Sequence, residues 1–279
     1  MSIDSLVKKA ALIRLNTLNS LYKSETGYVG SCMSVVDILV ALYYGELFGR
    51  PAMQFNPQKP GDDHSDDLVL SKGQSAPVQY SILADLGFFE ESELDYIGKP
   101  GAMLTNRPTI KIPGVSAPIL SYGHGLSIGV GLALAAKMDK KPKRTFVVMG
   151  DGELQCGQVW EAAMSAFEHR LDNLVLFVDN NKVQGNERMN VDFLQDKFEA
   201  FGWNVTQVTD GHNFDQILNA LARSFNTVRR PVCIWCHTVV GKGLEFAERK
   251  PSYQRASLSE GEMAECIPKL KEIYDKSIT

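Results

Sequence analysis

Thr145-Phe146-Val147-Val148-Met149-Gly150-Asp151-Gly152-Glu153 and, a little further on, Leu174-Val175-Leu176-Phe177-Val178-Asp179-Asn180-Asn181-Lys182-Val183 decide the fold of this chain. Each begins as an unbroken apolar run, the pattern of a strand covered on both faces, and each ends in a short polar cluster. Between them, residues 159–169 carry helical spacing, with a start near Gly157. A strand–helix–strand unit of this kind returns the second strand beside the first, so the two polar ends are expected to be neighbours in space.

The pattern repeats outward. Leu68-Val69-Leu70, Trp203-Asn204-Val205-Thr206-Gln207-Val208 and Val232-Cys233-Ile234-Trp235-Cys236 read as further strands. Residues 76–86, 125–138, 214–225 and 260–274 read as helices, and another is expected from Ser34 toward Leu47, with Ser34 and Asp37 as a capping-box-like start. Alternation of this kind predicts an α/β fold: a doubly wound, mostly parallel sheet with helices on both faces. Residues 49–67, rich in Pro and Asp, read as a surface excursion, so residues 1–279 are expected to form one domain.

Composition narrows the function. Of 279 residues, 44% are hydrophobic, while 29 Lys and Arg against 33 Asp and Glu leave a net charge of -4. That balance disfavours sequence-independent nucleic-acid binding, which depends on neutralising phosphates. The one dense basic stretch, Lys137, Lys140, Lys141, Lys143 and Arg144, reads as a solvated loop. No signal peptide or long apolar span is evident, which predicts a cytoplasmic protein. Five scattered cysteines fit reduced thiols. Cys233-Ile234-Trp235-Cys236-His237 matches a haem-attachment string but lies in a run that reads as a buried strand, and no second ligand pair has zinc spacing. Gly123-His124-Gly125-Leu126-Ser127-Ile128 lacks the third glycine of a dinucleotide fingerprint; Gly125, Gly129 and Gly131 are expected to allow close helix packing instead.

Chemistry is expected beyond the carboxyl ends of the strands, where Asp151 can offer a carboxylate and Asn181 an amide oxygen to a hard divalent cation. Gly150 and Gly152 let the backbone approach an anion closely. Gly150-Asp151-Gly152, followed by Asp179-Asn180-Asn181, resembles the thiamine diphosphate motif. Leu154-Gln155, Gly157-Gln158-Val159-Trp160-Glu161-Ala162-Ala163, Leu171-Asp172-Asn173-Leu174, residues 27–44, 69–80 and 123–136, and Thr238-Val239-Val240-Gly241-Lys242-Gly243 resemble the N-terminal section of transketolases in order and spacing.

The resemblance implies a single diphosphate-binding domain that holds thiamine diphosphate through Mg²⁺, or Ca²⁺ or Mn²⁺. Asp151, Asn181 and the carbonyl of Val183 would be the metal ligands. Gly150, Gly152, Glu153, Gln74, Tyr122 and Gly123 would join them around the cofactor, and Glu161 would lie at the contact between subunits. The family's pyrimidine-binding domain, with its activating Glu, finds no place in residues 1–279. That predicts an α2β2 assembly with a C-terminal transketolase-like partner subunit.

Departures from the family bear on substrate. Gly27-Tyr28-Val29 stands where G-H-P is usual, Lys72-Gly73-Gln74-Ser75 for K-G-H-A, Arg107-Pro108 for H-P, Leu120-Ser121-Tyr122-Gly123 for G-S-L-G, Gln254 near an expected His, and Cys156 for Glu. Gln keeps hydrogen bonding without charge, Tyr adds bulk, and Arg is a fixed cation. Gln74 and Arg107, with Glu161, are the catalytic candidates. Tyr28, Arg107 and Gln254 are the substrate-pocket candidates. The activity implied is transfer of a two-carbon ketol unit from a ketose-like donor to an aldehyde. The alternatives are acyl or ketol transfer to a non-sugar acceptor, and a non-catalytic regulatory role.

Overall fold

A computed structural model describes residues 1–275. In chain order its elements are α1 (Ile3–Lys23), α2 (Val29–Tyr44), the hairpin β1 (Glu46–Leu47) and β2 (Arg50–Pro51), β3 (Asp67–Leu70), α3 (Ala76–Asp85), α4 (His124–Met138), β4 (Thr145–Gly150), α5 (Gly157–Glu168), β5 (Leu174–Asn180), the hairpin β6 (Val183–Gln184) and β7 (Glu187–Arg188), α6 (Leu194–Ala200), β8 (Asn204–Val208), α7 (Phe214–Ser224), β9 (Val232–His237) and α8 (Glu260–Asp275). β3, β4, β5, β9 and β8 pair in that order, all parallel.

β4 and β5 are buried along their whole length, as their unbroken apolar runs require. Their side chains alternate between two cores. Phe146, Val148, Val175 and Phe177 pack with α1, α2, α3 and α7, while Val147, Met149, Leu176 and Val178 pack with α4, α5 and α6. The same alternation separates Cys233 from Cys236 onto opposite faces of β9, both buried, so the two thiols cannot share a haem or a metal. All five cysteines are free. In the basic stretch, Lys137, Lys141 and Lys143 each meet an aspartate, at 3.1, 2.8 and 2.9 Å. Among the described residues, no helix is long and apolar enough to cross a membrane.

Three expectations need correction. α2 starts at Val29, not Ser34, and ends at Tyr44. It is buried on every side up to Tyr43, between the sheet and α1, α3 and α7, so Ser34 and Asp37 do not cap a surface helix. Ser34 Oγ donates to Asp179 at 2.8 Å, and Asp37 receives both arms of Arg14 at 3.0 and 2.6 Å. Burial keeps the Asp37 carboxyl from ionising freely, but the Arg14 charge and the His212 and Arg14 hydrogen bonds outweigh it and hold the pKa down to about 2. Second, α1 and α6 add two helices to those the sequence pattern predicts. α1 mixes Lys8, Lys9, Arg14 and Asn16 into its apolar stripe, and α6 is too short to show a period. Third, Gly131 has open space where a Cβ would lie. Only Gly125 and Gly129 make close contacts, with a Cβ landing 2.2 Å from Ser71 Cβ and 2.4 Å from Val147 Cγ2.

These glycines are expected to respond in opposite directions to the same change. Gly125→Ala forces α4 off β3 and should destabilise the protein by about 1–3 kcal/mol. Gly131→Ala, on the open side of the same helix, should stabilise it by about 0.5–1 kcal/mol through backbone entropy. Urea unfolding of the two variants beside wild type reads both signs.

Candidate active site

Parallel pairing places Gly150 opposite Asp179, so the polar ends of β4 and β5 lie side by side as the sequence requires. Lys72, just past β3, lies behind them. It is 1% exposed, and its Nζ donates to the Ser31 carbonyl at 2.8 Å and Ser34 Oγ at 2.9 Å and pairs with Asp179 Oδ2. Thr238 Oγ1 donates to the other Asp179 oxygen. A lysine and an aspartate buried this deeply are tolerated only because each oxygen and ammonium proton finds a partner.

Asp151 sits above this pair. Its Oδ1 accepts from Gly152 N at 2.8 Å, and its Oδ2 accepts from Lys182 N at 2.6 Å. In the amide orientation that satisfies all its neighbours, Asn180 donates to Asp151 Oδ2 at 3.1 Å and accepts from His237 Nδ1 at 3.2 Å and Trp235 Nε1 at 2.8 Å. Burial, reinforced by the charge of Asp179, pushes the Asp151 pKa up to about 7, while the two backbone N–H groups and Lys72 pull the other way. Lys72 is already taken by Asp179, so among the described residues Asp151 has no cation of its own.

Asn181 Oδ1 accepts from Val183 N at 3.0 Å, and its Nδ2 donates to Ser34 Oγ at 3.2 Å. The Val183 carbonyl receives a long contact from Gln254 Nε2, at 3.4 Å. Among the described residues, no cluster of three or more His, Cys, Asp or Glu side chains is arranged to hold a metal. The oxygens on offer here are one carboxylate, one amide and one peptide carbonyl. That donor set suits a hard divalent ion that completes its shell with phosphate and water.

The cleft beside Asp151 is lined by Tyr28, Gln74, Tyr122, Gly150, Gly152, Glu153, Val183 and Gln254, so most of the sequence candidates meet in one place. Gln74 Oε1 and Gln254 Oε1 are buried there without hydrogen-bond partners. Orphaned polar atoms of this kind mark where a ligand belongs. Glu153 lines the cleft with a carboxylate that is already engaged: it accepts from Gly150 N at 3.0 Å, Gly123 N at 2.9 Å and Ser71 Oγ at 2.5 Å, pinning the loops together. The N–H of Gly123 is therefore already engaged. What this glycine contributes is its left-handed φ of 76° and close packing on Cys156, where a Cβ would land at 2.6 Å. Arg107 lies beside the cleft, its guanidinium 5.3 Å from the Tyr122 ring and its Nη1 buried without a partner. Glu161 stands apart, exposed on α5 near the half-exposed Met164.

Sequence reasoning missed Lys72, Asp179, Ser34 and Thr238 as one network. The available signal was a lysine directly after one apolar strand and an aspartate directly after another. What joins them is strand order, which no local pattern encodes.

Replacing Lys72 with Met leaves Asp179 uncompensated and is expected to destabilise the protein by about 3–5 kcal/mol. The double change Lys72→Met with Asp179→Leu should recover much of that loss in a thermal melt. For Asp151 the folded pKa lies above its unfolded value. Its contribution to stability is therefore fully present below about pH 4 and lost as pH rises toward 7. In EDTA, the Tm of Asp151→Asn relative to wild type is expected to rise between pH 4 and pH 8; a flat difference would contradict this account.

Comparison with known proteins agrees with the geometry. Residues 6–274 match the family model described as transketolase, thiamine diphosphate binding domain. The chain is 38% identical over 257 residues to the 6-deoxy-6-sulfo-D-fructose transketolase subunit of a Clostridium species, covering 90% of this chain and 91% of that one. It is 32% identical over 280 residues to an apulose-4-phosphate transketolase subunit from Phocaeicola vulgatus, covering 99% and 97%. Campylobacter jejuni transketolase superposes with a TM-score of 0.89 at 26% identity, over 97% of this chain but 43% of that one. The chain thus spans less than half the length of the single-chain transketolases it matches, human transketolase included at 43%. By fold, site geometry and near-complete sequence match, the chain belongs to the transketolase family, as its thiamine diphosphate-binding domain.

Proposed function

We propose that this transketolase-like chain is the cofactor-holding component of a two-component ketol transferase. The observation that carries this reading is Asp151: a buried carboxylate with no cation of its own, beside an amide and a peptide oxygen and above a cleft with orphaned polar atoms. In this reading Asp151, Asn181 and the Val183 carbonyl hold Mg²⁺, or Ca²⁺ or Mn²⁺ in its place. Gly150 and Gly152 admit the diphosphate, and Gln74 and Gln254, whose Oε1 atoms are unpartnered, rotate their amides to donate N–H to it. When bound, the cofactor supplies a nucleophilic thiazolium carbon able to carry a two-carbon unit.

The chain's own residues orient and enclose. Glu153 locks the loops of Gly123 and Gly150 so that the cleft is preformed, and Tyr122 and Tyr28 form its outer walls. Arg107 offers an unpaired guanidinium N–H at the edge, suited to an oxygen of the substrate. The relatives above are named for a sulfonated and a phosphorylated ketose, which supports ketol transfer from such a donor over transfer to a non-sugar acceptor. Retention of Gly150, Asp151, Gly152, Asn181 and Glu161 argues against a purely regulatory role. The naming of both relatives as subunits supports a partner chain carrying the pyrimidine-binding domain and activating Glu. We place Glu161 at that contact, in an α2β2 assembly, and the enzyme in the cytoplasm.

Calorimetric titration of thiamine diphosphate with Mg²⁺, into the chain alone and with its partner chain, tests this. Binding is expected to depend on the metal, to strengthen with the partner, and to fall at least about tenfold in Asp151→Ala, the loss of one charge-assisted ligand. Absence of binding in every combination, with the chain folded, would overturn the assignment. Arg107→Gln should leave cofactor binding intact and raise KM for the ketose donor; unchanged kinetics would remove Arg107 from the substrate pocket.

A further inference from the structure

A second cleft opens on the far side of the Asn180–Val183 segment, beyond the carboxyl ends of β5, β8 and β9. Its volume is about 490 Å³, within the range of small-molecule sites. Lys182, Arg188 and Arg249 line it, with Asn180, Asn181, Val183, His237 and Thr238, and among the described residues no carboxylate lines it. Among the described residues, none of these three cations forms a salt bridge, a state they share with other cations such as Arg144, Lys197 and Arg255.

The backbone fixes where two of these side chains start. Lys182 and Arg249 both adopt left-handed conformations, with φ of 61° and 60°. Neither is glycine, so each carries a local conformational penalty. Each is held there by its own N–H: Lys182 N donates to Asp151 Oδ2 at 2.6 Å, and Arg249 N donates to the Val240 carbonyl at 3.0 Å. The fold thus fixes two long cationic side chains at the rim of one cleft, at positions where glycine would be the less strained choice. A chain with net charge -4 has gathered unpaired positive charge at one sheet edge, the edge at which α/β proteins bind ligands.

We propose that this cleft, which adjoins the diphosphate cleft through Val183 but has cations of its own, is an anion site that takes the phosphate group of a small phosphorylated molecule. Arg188 and Arg249 supply planar donors matched to phosphate oxygens, Lys182 adds a point charge, and Thr238 and Asn180 offer neutral polar groups. The apolar wall of Met189, Val239 and Val240 leaves room for the carbon skeleton to which the phosphate is attached. The inference does not depend on the cofactor assignment.

Equilibrium dialysis of the full chain against inorganic phosphate and against glycerol 3-phosphate, in EDTA at low ionic strength, tests it. Without divalent metal the diphosphate cleft lacks its cation, so binding there is disfavoured. Saturable binding is expected, weakened about tenfold or more in Arg188→Gln and in Arg249→Gln, the loss of one charge-assisted contact. Both residues are exposed, so the variants should melt with wild type. Gln254→Ala, in the diphosphate cleft, should bind as wild type does. Tighter binding of glycerol 3-phosphate identifies an esterified ligand; equal binding identifies the free ion. Absence of saturable binding, indifference to both arginine changes, or loss in Gln254→Ala alone would overturn the proposal.

Discussion

The pairing of Lys72 with Asp179 at the carboxyl edge of the sheet is the contact on which the site depends. Both groups are fully buried, and the Coulombic attraction alone would not compensate their desolvation. Ser31, Ser34 and Thr238 complete the hydrogen bonding, and in doing so tie together the loop after β3, helix α2, strand β5 and the loop after β9. Four chain segments distant in sequence are fixed relative to one another by one ammonium and one carboxylate.

That arrangement creates an electrostatic imbalance above it. Asp179 uses the buried Lys72, and Asp151 is then left facing a second carboxylate with N–H groups for support. A protein domain tolerates such a group when something outside the polypeptide completes it. The neighbouring oxygens of Asn181 and Val183 and the orphaned amide atoms of Gln74 and Gln254 point to the same conclusion from different directions. A divalent ion would stabilise the ionised form of Asp151 and relieve the repulsion in one step.

The Asn180–Val183 segment is shared property. All four of its residues line the cationic cleft, and Val183 lines the Asp151 cleft as well. The Lys182 N–H that clamps Asp151 belongs to the same residue whose side chain contributes charge to the second cleft. Occupancy of either side therefore acts on the same few peptide groups, and the strained φ of Lys182 is held by the bond to Asp151.

The linear chain by itself determined the α/β class, the parallel sheet, the position of the polar strand ends and the family resemblance. These rest on apolar runs, helical periods and short motifs, all local properties that survive without a structure. Matching motif blocks also drew Tyr28, Gln74, Tyr122, Asp151 and Gln254 toward one place, because such blocks carry spatial information indirectly, and the fold lines a single cleft with all five. Only the tertiary structure decided that α2 is a central buried helix beginning at Val29, that Ser34 and Asp37 serve tertiary bonds and not a cap, and that Glu153 braces loops. The same holds for the partnership of Lys72 with Asp179 and for the unpaired charges of Lys182, Arg188 and Arg249. Whether a charged side chain is paired, buried or free depends on which strands become neighbours, and strand order is a property of the whole packed chain, not of any window within it.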